Sequence, residues 1–171
     1  NLGFVPTMGC IHKGHLSLIK KSIKKCKKTI VTIFVNKPQF NKKSDYKNYP
    51  KTIKKDIILL KKLKINYLYL PKEKEIYPYG TNSKITLNPF SKKLCGKNRP
   101  GHFRGVVDVI DRFIKIIKPK EIFMGEKDFQ QLKIVEDFVK RKYKNINIVN
   151  CKTVREKNGA AMSSRNVLLS A

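Results

Sequence analysis

Two of the chain's three histidines stand three residues apart in the segment PTMGCIHKGH, residues 6–15, with Gly9 before them and Gly14 between them. Three chemistries compete for such a stretch. A zinc site would use the His-x-x-His spacing but needs further ligands, and only His102 remains, with no cysteine at a matching distance. A plain strand-to-helix turn would need the glycines and leave the histidines without a task. A nucleotide site gives every residue one. Glycines let the backbone approach phosphates, and a helix starting near Lys13 turns its free N–H groups and positive dipole end toward them. Two imidazoles on one side of the turn can donate hydrogen bonds to an α-phosphate or a departing pyrophosphate, where charge develops in the transition state.

Three further clusters carry polar groups suited to the same work. In GEKDFQQL (125–132), Lys127 can act as a point charge on phosphate and Asp128 can cap the helix that follows, while Gln130 and Gln131, each taken alone, read as surface residues. In MSSRN (162–166), two hydroxyls and Arg165 could grip phosphates from a loop, although Ser-Ser-Arg by itself is common on surfaces. In FVNKPQF (34–40), Asn36 and Gln39 place neutral amides at the end of an apolar run. No Ser-His-Asp ordering, nucleophilic cysteine context, GxGxxG or GxxxxGK[ST] pattern is present.

The elements that must hold these clusters follow from periodicity. LGFV (2–5), TIVTIFV (29–35), YLYL (67–70), EIFM (121–124) and INIV (146–149) read as short, largely apolar strands. Leu16, Ile19, Ile23 and Cys26 define the inner stripe of a helix over 13–28, and Ile53, Ile57, Leu60 and Leu63 that of a second. Helices over 106–118 and 128–142 complete the alternation, and 77–105 reads as an irregular excursion with one short strand. Strands alternating with helices predict an α/β fold: a Rossmann-like parallel sheet of right-handed βαβ units with helices on both faces. Ligands on such sheets sit at the carboxyl ends of the strands, near the switch in strand order. Each polar cluster falls at such an end.

Composition narrows the field further. The 171 residues suffice for one domain with a sizeable core. No apolar run approaches the roughly 18–20 residues that span a bilayer, and no charged-then-apolar leader opens the chain, so a cytoplasmic protein without membrane attachment is expected. Four scattered cysteines, without a CxxC pair, read as reduced thiols. The formal net charge of +27 comes from 39 basic residues of which only six are arginine, spread along helices and loops with few aromatics between them. A nucleic-acid surface concentrates charge on one face and favours arginine, so this charge reads as the lysine-rich composition of an AT-rich genome. It should still attract anionic substrates.

PTMGCIHKGH, FVNKPQF, RPGHFRGV, GEKDFQQL and REKNGAAMSSRN, in this order from Gly3 to Asn166, resemble the motifs of the pantoate–β-alanine ligase family, and HKGH is similar to the signature of the wider HxGH nucleotidyl-transfer superfamily. The resemblance implies two steps at one site: pantoate is adenylated by ATP with loss of pyrophosphate, then the amine of β-alanine displaces AMP. It implies an ATP site formed by Met8, Gly9, Cys10, Ile11, His12, Lys13, Gly14 and His15, by Gly125, Glu126, Lys127 and Asp128, and by Val154, Met162, Ser163, Ser164 and Arg165, the last four resembling the KMSKS loop of related enzymes. His15 takes the proton-donor role with His12 beside it, and Lys127 lies on the phosphates. Gln39 and Gln131 match the pantoate-holding glutamines, Gln39 lying also near β-alanine, and His102 matches a family motif without an assigned step. ATP with Mg²⁺, no protein-bound metal and a homodimer complete what the resemblance implies. The alternatives are another HxGH adenylyltransferase and a basic RNA-binding protein.

The sequence departs from the family pattern at Lys37, which separates Asn36 from Pro38 and shifts the backbone restriction beside Gln39. Cys10, Ile11, Asn158 and Ala160 are milder departures. Measured against the family, residues 1–171 are expected to form one ATP- and pantoate-binding domain, incomplete at both ends and without the C-terminal lid domain that would shield an adenylate from water.

Overall fold

A strand that is apolar on both faces is stable only when both faces are covered, and the centre of this protein is built that way. The computed structural model describes residues 1–168. Five strands, β1 (Leu2–Thr7), β2 (Lys28–Ile33), β3 (Tyr67–Tyr69), β4 (Glu121–Gly125) and β5 (Asn147–Cys151), form one sheet in the order β3-β2-β1-β4-β5, with every pairing parallel. Seven helices accompany it: α1 (Lys13–Lys25), α2 (Lys43–Lys47), α3 (Ile53–Lys62), α4 (Glu73–Ile76), α5 (Cys95–Asn98), α6 (His102–Ile117) and α7 (Phe129–Lys142). The chain winds outward from β1 through β2 to β3, then restarts on the other side with β4. The crevice between the carboxyl ends of β1 and β4 is therefore the switch point of the sheet.

Alternate strand residues feed two apolar layers. Phe4, Ile122 and Met124 pack with α6 and α7, through residues such as Val107, Phe113, Leu132 and Val135. Val5, Val31, Ile33 and Phe123 pack on the opposite face with Ile19 of α1 and Leu60 of α3. No helix of the described residues is long and apolar enough to cross a membrane, and all four cysteines are free.

The helical stripes differ in detail from the periodicity. On α1, Ile23 is 40% exposed, and the inner positions are Ile19, Ser22 and Cys26. Ser22 is tolerated there because its hydroxyl pairs with that of Thr29 at 2.8 Å. On α3, Ile53 is 47% exposed while Asp56 is buried beside Leu60; the first turn of that helix meets a polar loop instead of the sheet. The segment 77–105 contains a 3₁₀ turn (Pro89–Lys92) and α5, with no strand. Side chains from the long helices tie it down. Gln130 accepts from Cys95 N at 3.0 Å and donates to Phe90 O and Lys93 O at 2.9 and 2.7 Å. Arg112, paired with Asp108, donates to Ile76 O and Gly80 O. Helix α6 begins at His102, four residues earlier than its apolar run, because Gly101 at φ 80° turns the chain into it.

Close packing of α1 on the sheet depends on Gly3, where an added Cβ would collide with Ser22 Oγ and lie 2.9 Å from Cys26 Sγ and 3.0 Å from the Phe123 ring. Gly3→Ala should therefore destabilise the protein by about 1–3 kcal/mol, the range for an overpacked core. The loss should appear as a lower urea midpoint at unchanged slope; an unaltered midpoint would show that α1 can shift outward freely.

Candidate active site at the switch point

The turn after β1 is shaped by two consecutive left-handed residues, Gly9 (φ 81°) and Cys10 (φ 51°). A non-glycine residue in that region needs compensation, and Asp56 supplies it. The carboxylate accepts from Cys10 N and Ile11 N, both at 2.9 Å, and from the Thr52 hydroxyl at 3.1 Å, while Asp56 itself is only 3% exposed. His12 then caps α1: its Nδ1 accepts from Gly14 N at 3.1 Å, and His15 Nδ1 accepts from His12 N at 3.4 Å. The amides of Cys10, Ile11, His12 and Gly14 are thus used inside the protein. Beside the expected backbone donors, of which Lys13 N remains uncommitted, the turn therefore offers the side chains of its histidines.

The tautomers follow from the same bonds. A ring nitrogen that accepts an N–H carries no proton, so each neutral imidazole bears its hydrogen on Nε2. The rings are in contact, with centroids 4.0 Å apart and planes tilted by 39°. Burial, then the neighbouring His12 and Lys127, lowers the pKa of His15 to about 3. Burial and Lys127 also lower that of His12, against the opposing pull of Glu156. Both are neutral N–H donors near pH 7 in the free site.

The end of β2 is organised around Asn36, which is 1% exposed. Its Nδ2 donates to Gly105 O and to Gln39 Oε1, both at 3.0 Å, and its Oδ1 accepts from Tyr77 OH at 2.6 Å. Gln39 is left with its Nε2 hydrogens to offer. The Lys37–Gln39 turn lies directly on α6: a Cβ at Gly105 would come within 2.7 Å of Pro38 O and 2.8 Å of Gln39 N. His102 Nδ1 lies 2.7 Å from Gln39 O, so this ring donates from Nδ1 and fixes the same turn. That contact gives His102 a task that its motif alone did not.

Beyond β4, the turn Glu126–Asp128 leads into α7. Lys127 Nζ has only a long contact to Asp128, 3.3 Å, and remains available. Adjacent glutamines divide their work: Gln130 holds the 89–95 segment, whereas Gln131 faces the cavity. After β5 the chain reverses through the Arg155–Ala161 bridge, with Gly159 at φ 86°. This hairpin carries Met162–Arg165 back to the first turn. Ser164 Oγ lies 3.3 and 3.2 Å from the carbonyls of Gly9 and Cys10 and so latches the two segments together. Arg165 makes a two-pronged pair with Asp45 at 3.0–3.2 Å and stacks over Tyr49.

These segments enclose a cavity of about 230 Å³. Met8, His12, Gly14 and His15 line one side; Gln39, Gly125, Lys127, Asp128 and Gln131 another; and Val154, Met162, Ser163, Ser164 and Arg165 close it. Val106, Val109, Ile110 and Phe113 of α6 form an apolar floor. Of the residues expected at the nucleotide, Gly9, Cys10, Ile11, Lys13 and Glu126 do not line it. Among the described residues no three His, Cys, Asp or Glu side chains gather as metal ligands. Sequence reasoning missed Asp56 and the structural use of Gln130. For Asp56 a signal existed, since it stands four residues before Leu60 and so on the same face of α3.

Asp56→Asn keeps the side-chain shape but turns one acceptor into a donor facing a backbone N–H, a mismatch worth about 1–3 kcal/mol. Hydrogen exchange at Cys10 and Ile11 should accelerate well beyond that of sheet amides such as Phe4. Unchanged protection at these two amides would refute the clamp.

The full described site lies inside one family match. Residues 1–171 match the family model described as pantoate-beta-alanine ligase. The chain is 45% identical over 169 residues to the pantothenate synthetase of Sulfurihydrogenibium sp., covering 99% of this chain and 60% of that protein. It is 43% identical to that of Legionella pneumophila, covering 97% and 66%. Its fold is similar to the crystal structure of pantothenate synthetase from Thermus thermophilus, with a TM-score of 0.94 at 38% identity, over 99% of this chain and 62% of that one. It is also similar to pantoate-beta-alanine ligase from Francisella tularensis complexed with beta-gamma ATP and beta-alanine, with a TM-score of 0.93 at 41% identity, over 99% and 66%. The chain thus spans about 60–66% of the length of these relatives, and it belongs to the pantoate–β-alanine ligase family.

Proposed function

We propose that this chain provides the nucleotide- and acid-binding part of an ATP-dependent ligase that joins pantoate to β-alanine. A carboxylate oxygen of pantoate attacks the α-phosphorus of ATP and pyrophosphate leaves; the amine of β-alanine then attacks the acyl carbon, loses a proton and expels AMP. The observation that carries the reading is the pairing of two Nε2–H donors, on His12 and His15, with Lys127 across one cavity. Fixed donors aimed at a phosphate stabilise the charge that builds on its oxygens as the pyrophosphate departs. Because His15 is neutral in the free site, its role as donor begins as a hydrogen bond, and the incoming polyanion favours its protonation.

The far wall supports pantoate as the acid. Gln39 offers amide hydrogens, Gln131 a free amide, and Val106, Val109 and Ile110 an apolar floor for the geminal methyl groups. Mg²⁺ accompanying ATP would be held by the phosphate oxygens. Cytoplasmic residence and assembly as a homodimer rest on the family alone.

Two substitutions in the full-length protein test the division of labour. His15→Ala should cut pantoate-dependent ATP–pyrophosphate exchange by roughly 10²–10³, the usual effect of removing one preorganised donor; near-normal exchange would sink its assignment. Gln131→Leu should weaken pantoate binding by about 1–3 kcal/mol and leave ATP binding unchanged in calorimetry. An equal loss for both ligands would place Gln131 on the nucleotide instead. AMP release without pantoate and β-alanine would count against the whole reading.

A further inference from the structure

Asp45 is the only acidic residue among the first 55 of this basic chain, and its carboxylate engages Arg165, 120 positions away. The guanidinium donates to it from Nε at 3.2 Å and from Nη2 at 3.0 and 3.1 Å. It also lies over the rings of Tyr49 and Phe40, 5.2 and 5.9 Å from their centroids. Those two rings meet edge to face at 5.7 Å. A carboxylate on one edge and an aromatic pair thus fix the fork, and Nη1 has no hydrogen-bond partner among the described residues. Arg165 and Tyr49 line the first cavity, whereas Asp45 does not.

The pair does little for the fold. Its side chains are 44% and 37% exposed, and an ion pair so open to solvent adds little to stability. What it removes is freedom. A loose arginine samples many rotamers and must give them up to grip an anion; one already held on two sides gives up few. Asp45 also moderates a repulsion, since Arg165 acts against the charge of Arg99 while Asp45 supports it.

We propose that Asp45 is a positioning residue for the nucleotide, holding Arg165 at the wall of the first cavity with Nη1 left for a polyphosphate oxygen. The proposal rests on the ligase reading, with ATP in that cavity. Because the carboxylate occupies the Nε–Nη2 edge, an oxygen can take Nη1 without displacing it. The guanidinium then bridges carboxylate and phosphate, its plane kept by the rings and its orientation set before the ligand arrives. If Asp45 instead masked Arg165, removing the carboxylate would tighten ATP binding.

The experiment measures pantoate-dependent ATP–pyrophosphate exchange and urea midpoints in the full-length wild type, Asp45→Asn, Asp45→Glu, Arg165→Met and the double variant Asp45→Asn/Arg165→Met. Asp45→Asn should lower kcat/KM for ATP by about tenfold, the order of one charge-assisted bond, and leave KM for pantoate and the urea midpoint unchanged. Asp45→Glu, which keeps the carboxylate, should recover most of the loss. The double variant should be no worse than Arg165→Met alone, since Asp45 acts only through that side chain. Arg165→Lys replaces the methionine variant if the latter does not fold. Additive losses in the double variant, tighter ATP binding in Asp45→Asn, or equal losses for ATP and pantoate with a lowered midpoint would each overturn the proposal. So would normal exchange in Asp45→Asn or in Arg165→Met. Absence of exchange in the wild type would instead defeat the ligase reading.

Discussion

One buried amide holds together the side of the cavity that Gln39 lines. Asn36 ends the run that follows β2, and three of its hydrogen-bonding positions go to three separate segments: Gly105 O on α6, Gln39 in the next turn, and Tyr77 beyond α4. A buried amide left unpaired costs about 1–3 kcal/mol, more than the net contribution of one such bond, so the segments must arrive together. Each is braced in turn. Tyr77 lies under Arg112, 4.5 Å from its ring centroid, and Arg112 is fixed by Asp108 and the carbonyls of Ile76 and Gly80. Gln39 is held from the other side by His102. The direction in which Gln39 presents its amide hydrogens is therefore decided by a network reaching from the loop after α4 to the first turn of α6.

The side formed by the turn after β1 is governed by the opposite economy of backbone donors. In many phosphate sites successive backbone N–H groups face the ligand. Here Asp56 takes two of them and the histidines take two more. The imidazoles of His12 and His15 and the ammonium of Lys127 are left as donors that face the cavity. The interior also explains where the few acids went. Of 12 acidic residues, Asp56, Asp108, Asp111 and Glu121 are buried. Asp111 is bound by Lys115, Lys142 and Tyr143, and Glu121 by Lys25. No lysine is buried among the described residues, so the large positive charge is a solvated exterior, screened within about 8 Å at physiological salt.

The sheet and its switch point were legible because apolar strands and amphipathic helices alternate along the chain, and such alternation has few parallel solutions. Residues placed by strand ends, such as His12, His15 and Lys127, were legible for the same reason, whereas Gln131 was singled out only by the family resemblance. What could not be read are contacts across long stretches of chain. Gln130 and Gln131 are neighbours of one type, yet helical geometry turns one toward the 89–95 segment and the other into the cavity. Ser164 reaches Gly9 across 155 positions. The excursion 77–105 contains too little periodicity to reveal α5, whose four residues are stabilised from outside by Gln130. Ile23 and Ile53 misled because an apolar residue does not report whether its face is covered.

His12 and His15 have alike positions in the motif but unequal structural duties. His12 caps α1 through a 3.1 Å bond, so its removal would loosen the helix start as well as remove a donor. His15 receives only the 3.4 Å contact from His12 N, a long bond. Its ring is held chiefly by contact with His12 and by the walls of the cavity. A change at His12 therefore mixes folding with chemistry. A change at His15 comes closer to isolating the Nε2 donor, because the His12–Gly14 bond, the Asp56 clamp and the Ser164 latch do not use its ring and the cap loses only its long 3.4 Å member. The site is preorganised by residues that never touch the ligand, and the residue best suited to reveal the chemistry is the one that the scaffold uses least.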